Sequence, residues 1–249
     1  MLDYANLLKE WRKHRRLSQL GLALEADVSA RHISFLETGR SRPSAEMIVH
    51  LCEVLDMPVD VRNQMMKAAG FAPRYTSTPL DDTAMAPIRQ AIAHMLDRHA
   101  PYPGLVLDRD WNAVKLNAPA RMLFAALGLA EGDCLLDLIT DPIMPSVVEN
   151  WPEVAHHTML RLRAESLAAG GVPRLDAAVS LLSDVAQGSV PAANTPTIPT
   201  IYRMGDQRLS LFGTIAHFSS VNDETLADLK AELFYPADEA TAAWLRGAD

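Results

Sequence analysis

The residues best equipped for intermolecular chemistry fall in two short stretches. The first is Ser29-Ala30-Arg31-His32-Ile33-Ser34-Phe35, followed shortly by Arg40 and Arg42. Arg31 can donate two parallel hydrogen bonds, which suits O6 and N7 of guanine, while Ala30 and Phe35 can touch a thymine methyl. Ser34 falls on the same groove-facing side. Arg40 and Arg42 suit phosphate oxygens. His32 is either a phosphate contact or a surface residue, and Gln19 is placed for a phosphate or an adjacent base. The second stretch contains His157 and Arg161, four residues apart, with Val154, Ala164 and Ala168 expected beside them on one helical face. A basic pair over small apolar side chains leaves room for a ligand head group. Two plainer readings stay open: Arg161 pairs with Glu165 one turn on at the surface, and His157 is an ordinary satisfied or exposed histidine.

Signals for catalysis are missing from the sequence. There is no Gly-x-Ser-x-Gly, P-loop or Gly-x-Gly-x-x-Gly, and no Cys-x-x-Cys; His156-His157 lacks the spacing of a zinc site. We therefore expect no enzyme, no metal and no required cofactor, and no motif supports haem or flavin. Cys52 and Cys134 lie far apart among apolar neighbours and read as buried free thiols of a reducing, cytoplasmic setting. No run of about 18 apolar residues is present, so no membrane span is expected. The opening MLDYANLLKEW is polar and helical, unlike a signal peptide.

The first candidate stretch needs a helix to present it, and the local signals supply one. Ser18 and Ser29 are N-caps, and Ala26-Asp27-Val28 between the two helices reads as a tight turn. Gly39 closes the second of these helices. A preceding helix over Tyr4 to Arg15, a fourth opened by Pro43 and Ser44, and a fifth from Val59 to Ala69 complete a five-helix unit. Ala23 is small where helices two and three would touch, and Val28, Ile33 and Leu36 fill the core below. A short helix pair with a three-residue turn is the geometry that lays its second helix in a DNA groove. Charge agrees: residues 1–74 hold 11 Lys and Arg against 9 Asp and Glu, net +2, whereas the rest of the chain is −10 within a total of −8.

Residues 75–86 lie within a stretch rich in proline and threonine and read as a linker. The second domain, 87–249, is mixed α+β. It opens with a helix from Pro87 to His99. Two strands, Leu105–Leu107 and Ala113–Leu116, flank the turn Asp108-Arg109-Asp110. Pro119 to Leu127 is a helix, and a helical middle follows over Cys134–Ala169, broken by Pro142, Pro145 and Pro152. Another helix is expected over 173–187 and a loop over 188–200. Strands over Pro199–Met204 and Arg208–Phe218 flank a Gly205-Asp206 turn. Leu226–Phe234 is a strand or a helix, and Ala237–Arg246 is a last helix. Asn117, closing a strand, is expected to pin backbone; Trp111 and Trp151 read as core.

The segment LLKEWRKHRRLSQLGLALEADVSARHISFLETGRSRPSAEMIVHLCEVLDMP resembles the phage-repressor-type helix-turn-helix family, Cro/C1 or XRE. The matching elements are Ser18-Gln19, Ala23, Val28-Ser29, Ile33, Ser34 and Leu36-Glu37-x-Gly39-x-x-x-Pro43. Gly21 in a helix and Asp27 in place of a turn glycine depart from the pattern. The segments GFAPRYTSTPLDD, PYPGLVLDRDWNAVKLN, NWPEVAHHTMLRLRAE, LSLFGTIAHF and ELFYPADE extend the resemblance to the MmyB-like regulators. That resemblance implies a PAS-like α+β ligand-binding domain able to hold a fatty acid, whose carboxylate would need a cationic anchor such as Arg161 with His157 beside it.

The implied protein is a DNA-binding regulator with a small apolar ligand. A single head contacts few base pairs, so a homodimer on a two-fold operator is expected, joined mainly through the second domain. Two alternatives remain from the residues: a second domain that serves dimerisation or partner docking without a ligand, and an enzyme with a regulatory head.

Overall fold

The structure, a computed structural model, describes residues 3–186, 197–218 and 223–247. It divides into two units between Ser77 and Thr78; the first also takes in Leu167–Gly171 and a short helix, α12 (Glu224–Ala227).

The first unit is built from α1 (Tyr4–His14), α2 (Gln19–Glu25), α3 (Ala30–Glu37), α4 (Ala45–Val54) and α5 (Val59–Ala68). Ser18, Ser29 and Ser44 cap α2, α3 and α4, their hydroxyls accepting from the backbone N–H of Gly21, His32 and Met47. Each such cap stabilises its helix by about 1 kcal/mol. Both departures from the repressor pattern have a local reason. Asp27 adopts the left-handed conformation, φ +50°, that the turn requires. At Gly21 a Cβ would stand 3.3 Å from the capping Ser18 Oγ, so glycine keeps the cap unstrained. Leu8, Leu22, Ile33, Leu36, Ile48 and Leu51 are fully buried beneath these helices.

One buried ion pair ties α1 to α3. Arg12 Nε donates to Glu37 Oε1 and Nη2 to Oε2 at 2.8 Å, while Nη1 donates to Leu17 O at 2.8 Å. Gln19 Nε2 on α2 also donates to Glu37 Oε2, at 2.8 Å. Burial opposes the charge on Glu37, but these hydrogen bonds outweigh it and hold its carboxyl below the ordinary value.

The second unit begins with a 3₁₀ turn, Thr83–Met85, and α6 (Ala86–His99). Then come β1 (Gly104–Leu107), β2 (Ala113–Leu116), α7 (Ala118–Ala125), α8 (Leu135–Ile139), α9 (Met144–Val147), α10 (Trp151–Ala168) and α11 (Pro173–Val185). The strands β3 (Thr200–Met204), β4 (Gln207–His217) and β5 (Lys230–Pro236) and the helix α13 (Glu239–Gly247) follow. The five strands make one antiparallel sheet in the order β2-β1-β5-β4-β3. The mixed α+β class expected for this domain is what the chain forms.

Three details sharpen the sequence expectation. Pro145 and Pro152 are the second residues of α9 and α10; proline is tolerated there because first-turn N–H groups have no intrahelical partner. They start helices rather than break one. The segment left open between strand and helix divides into both, α12 and then β5 at the centre of the sheet. Most of the expected loop over 188–200 lies outside the described residues. Asn117 does pin backbone: its Oδ1 accepts from Gly104 and Ala120 N–H, and its Nδ2 donates to Leu96 O and Tyr102 O. One side chain thereby ties β1, the end of α6 and the start of α7.

Candidate functional site

The DNA-facing candidates sit on α3 and its flanks. Arg31 is exposed and its guanidinium lies 5.1 Å from the centre of the Phe35 ring, one turn on. That stack holds a flexible side chain along the outer face of α3. Ser29 is exposed and serves as the cap, and Arg40 and Arg42 are exposed just past the helix. His32 and Ser34 are half-buried, and Ala30 packs partly against the core. Gln19 is also half-buried, with its amide hydrogen-bonded to Glu37, so it is positioned by the ion pair beneath it. The basic run Arg12 to Arg16 is less available than its composition suggests. Arg12 is buried on Glu37, and Arg15 donates to Leu55 O at 2.7 Å and stacks on Trp11.

The second candidate is a pocket of about 300 Å³ in the second unit, between α10 and the inner face of the sheet. Antiparallel pairing sets that face. Leu105 stands opposite Glu232, Ile215 opposite Glu232 on the other side, and Gly213 opposite Phe234. Alternation then turns Lys230, Glu232 and Phe234 of β5 to the same side. Phe234, Phe124, Leu138, Met144, Trp151 and Val154 give the pocket an apolar wall.

Arg161 is part of this wall; it makes the i,i+4 pair with Glu165 that one sequence reading named, but its shortest contact is with a residue that neither reading named. Its Nη2 donates to Glu232 Oε1 at 2.5 Å, across 71 residues of chain. Glu165 is a second, looser partner, 3.7 Å from Nε. Glu165 in turn accepts from Lys230 Nζ at 2.8 Å and from Trp111 Nε1 at 3.0 Å. Both cations stack on Trp111, Arg161 at 4.5 Å and Lys230 at 3.7 Å from the ring centre. Burial lowers the Lys230 pKa, against the opposing pull of Glu165. Trp111 is held in a left-handed conformation, φ +65°, at the end of the β1–β2 turn, a backbone cost of order 1–3 kcal/mol borne by the surrounding contacts.

His157 lines the pocket but is exposed. Partial desolvation and the nearby positive charge of Arg161 hold its pKa below the ordinary value, which favours a neutral imidazole. The helical face named from spacing needs correction: Val154, Thr158 and Arg161 line the pocket, while Ala164 and Ala168 are exposed on other sides of α10. Spacing missed Lys230 and Glu232. Two charges inside an otherwise apolar strand, LKAELF, were the signal available.

Among the described residues no group of three His, Cys, Asp or Glu is arranged to hold a metal ion, and no helix is long and apolar enough to cross a membrane. Cys52 and Cys134 are buried free thiols, with burial pushing the Cys52 pKa up to about 12.

A capped helix pair with an exposed basic face and an α+β unit with a charged-ended apolar pocket define a ligand-responsive, DNA-binding transcription regulator. Residues 8–61 match the helix-turn-helix family model, and residues 88–248 match that of the MmyB-like transcription regulator ligand binding domain. The second match spans well over half of the chain, and the chain belongs to that family. No curated protein sequence matches it. Among solved structures it is similar to the PAS domain from Bordetella pertussis BvgS, at 10% identity and a TM-score of 0.32, over 65% of this chain and 94% of that one. A likeness that slight carries no weight for function.

Proposed function

We propose that the protein is a cytoplasmic one-component regulator that reads a two-fold operator as a homodimer and responds to a fatty acid. The observation that carries this reading is the 300 Å³ apolar pocket with Arg161 in its wall. The chain of the acid would lie against Phe124, Leu138 and Phe234, and its carboxylate would face Arg161. A carboxylate leaving water needs a charge-assisted partner, because an unpaired buried anion costs several kcal/mol. His157 would contribute a neutral ring at the rim rather than a second charge.

On the DNA side, Arg31 would read a guanine, Ala30 and Phe35 would touch methyl groups, and Ser34 would share the groove. Ser29, His32, Gln19, Arg40 and Arg42 would face the backbone. Support for a homodimer comes from large apolar side chains left exposed on the second unit, Leu160 on α10 and Leu181 and Val185 on α11.

The test is a selection of duplexes from a random pool by the full chain, followed by titration of the selected duplex with and without decanoate. Arg31→Ala should cost about 1–3 kcal/mol on the selected sequence and relax its choice. Arg42→Ala should weaken all sequences alike, since phosphate contacts carry no sequence information. Full selectivity in the Arg31 variant would move the reading helix elsewhere. DNA affinity indifferent to decanoate and to every other apolar acid tried would remove the sensing role.

A further inference from the structure

The charged end of the pocket is closed upon itself. Arg161 holds Glu232 at 2.5 Å and Lys230 holds Glu165 at 2.8 Å, so two cations face two anions around Trp111. The Arg161 fork is nevertheless incompletely used. Its Nε is buried without a hydrogen-bond acceptor, Glu165 Oε1 standing 3.7 Å away. A buried donor left this way calls for an acceptor, which a water or a ligand oxygen can supply.

An acid that directs its carboxylate at Arg161 meets a guanidinium already committed to a carboxylate. It would set three anions against two cations in a largely desolvated corner. Carboxylates that share one site cannot all stay ionised cheaply, and one of them takes up a proton. Resting on the reading of this pocket as the ligand site, we infer that Glu232 determines which head groups the pocket accepts. Glu232 occupies the place on Arg161 that a ligand carboxylate would take. A free acid therefore binds together with one proton, which ends on the Glu232–ligand carboxylate pair. A neutral polar head on the same chain, such as an alcohol, binds without one.

The groups that face Glu232 limit other sources of a proton. Arg161, Glu165 and His157 come from α10, Lys230 from β5 itself and Tyr202 from β3; Leu105 on β1 and Ile215 on β4 are apolar. Burial raises the Tyr202 pKa and keeps that phenol protonated. His157 and Lys230, whose pKa values burial lowers, are the rivals among the described residues, and each is separable by substitution.

The experiment is calorimetric titration of the full chain with decanoate and with decanol, each in two buffers of different protonation heat, between pH 6.5 and 8.5. We expect close to one proton taken up per decanoate bound and none per decanol. Decanoate affinity should then fall by about tenfold per pH unit, as one-proton linkage requires. Glu232→Gln keeps the shape and an acceptor for Arg161. It should bind decanoate at least about tenfold more tightly at pH 8 and take up no proton, with decanol affinity unchanged. The wild-type proton count stands even if that variant folds poorly.

Proton uptake that persists in Glu232→Gln and vanishes in His157→Gln or in Lys230→Met would assign the effect to that other residue and overturn the proposal. Equal decanoate affinity of wild type and Glu232→Gln, with Arg161→Ala weaker than both, would overturn it while leaving Arg161 as the anchor. Indifference of decanoate binding to Arg161→Ala would bring down the anchor reading and this inference together.

Discussion

Each unit sets an arginine against a buried glutamate, and the two pairs are built differently. In the first, Arg12 spends Nε and Nη2 on Glu37 and Nη1 on the Leu17 carbonyl, and Gln19 adds a further donor to the same carboxylate. In the second, Arg161 gives one hydrogen bond to Glu232, keeps a buried Nε without an acceptor, and borders a 300 Å³ pocket. The chemistry is the same; the satisfaction of the donors and the adjoining space differ. A saturated pair with nowhere to move fixes the angle between α1 and α3, whereas an unsaturated pair beside a cavity can exchange partners. Residue type alone therefore does not separate the two pairs, whereas the count of unmet donors does.

The comparison breaks most visibly at Arg12. Arg12→Met should destabilise the first unit by about 3–5 kcal/mol, because Glu37 would be left charged and buried. Urea unfolding of the full chain, followed by a fluorescent label attached on the exposed side of α1, measures it. A loss below about 1 kcal/mol would mean that water reaches Glu37 and that the pair is not structural.

Acid should do reversibly what that substitution does permanently. The folded pKa of Glu37 is depressed, its unfolded value being about 4.3. Its contribution is thus fully present above the unfolded value and lost as pH falls through the lower folded one. Stability of the wild type should decline below about pH 4.3, and Arg12→Met should lose less over that window. Equal acid slopes in the two proteins would place the titration elsewhere.

Arg161→Met should cost less stability, about 1–3 kcal/mol, since one hydrogen bond is lost and Lys230 remains beside the acids. Its larger consequence should be in decanoate affinity. A stability loss as large as that of Arg12→Met, with binding unchanged, would make both pairs structural and erase the contrast.

The smallest expected effect is that of Gln19→Ala. It removes one donor from Glu37 and should cost about 0.5–1.5 kcal/mol. Read out on DNA instead, the same variant reports whether the amide also reaches a phosphate: affinity should fall on all duplexes alike. Unchanged affinity would leave Gln19 solely as a brace for Glu37.

Local interactions made the first unit readable from sequence. The caps at Ser18, Ser29 and Ser44 join a side chain to an N–H three residues on, and the turn at Asp27 depends on one residue's φ. Such signals lie within one helical turn, so residue types and spacing determine them, and with them the face that carries Arg31. Hydrophobic periodicity likewise fixed most elements of the second unit. The partners of its charges were decided only by the tertiary structure. Arg161 meets Glu232 across 71 residues because β5 is inserted between β1 and β4, a position no local signal encodes. Within LKAELF, alternation alone makes Ala231 and Leu233 look like the core face and Lys230 and Glu232 like the solvent face. Pairing of Lys230 and Glu232 with Leu107 and Leu105 puts the charges inward instead. Their burial is tolerated because α10 brings Arg161 and Glu165 to meet them there.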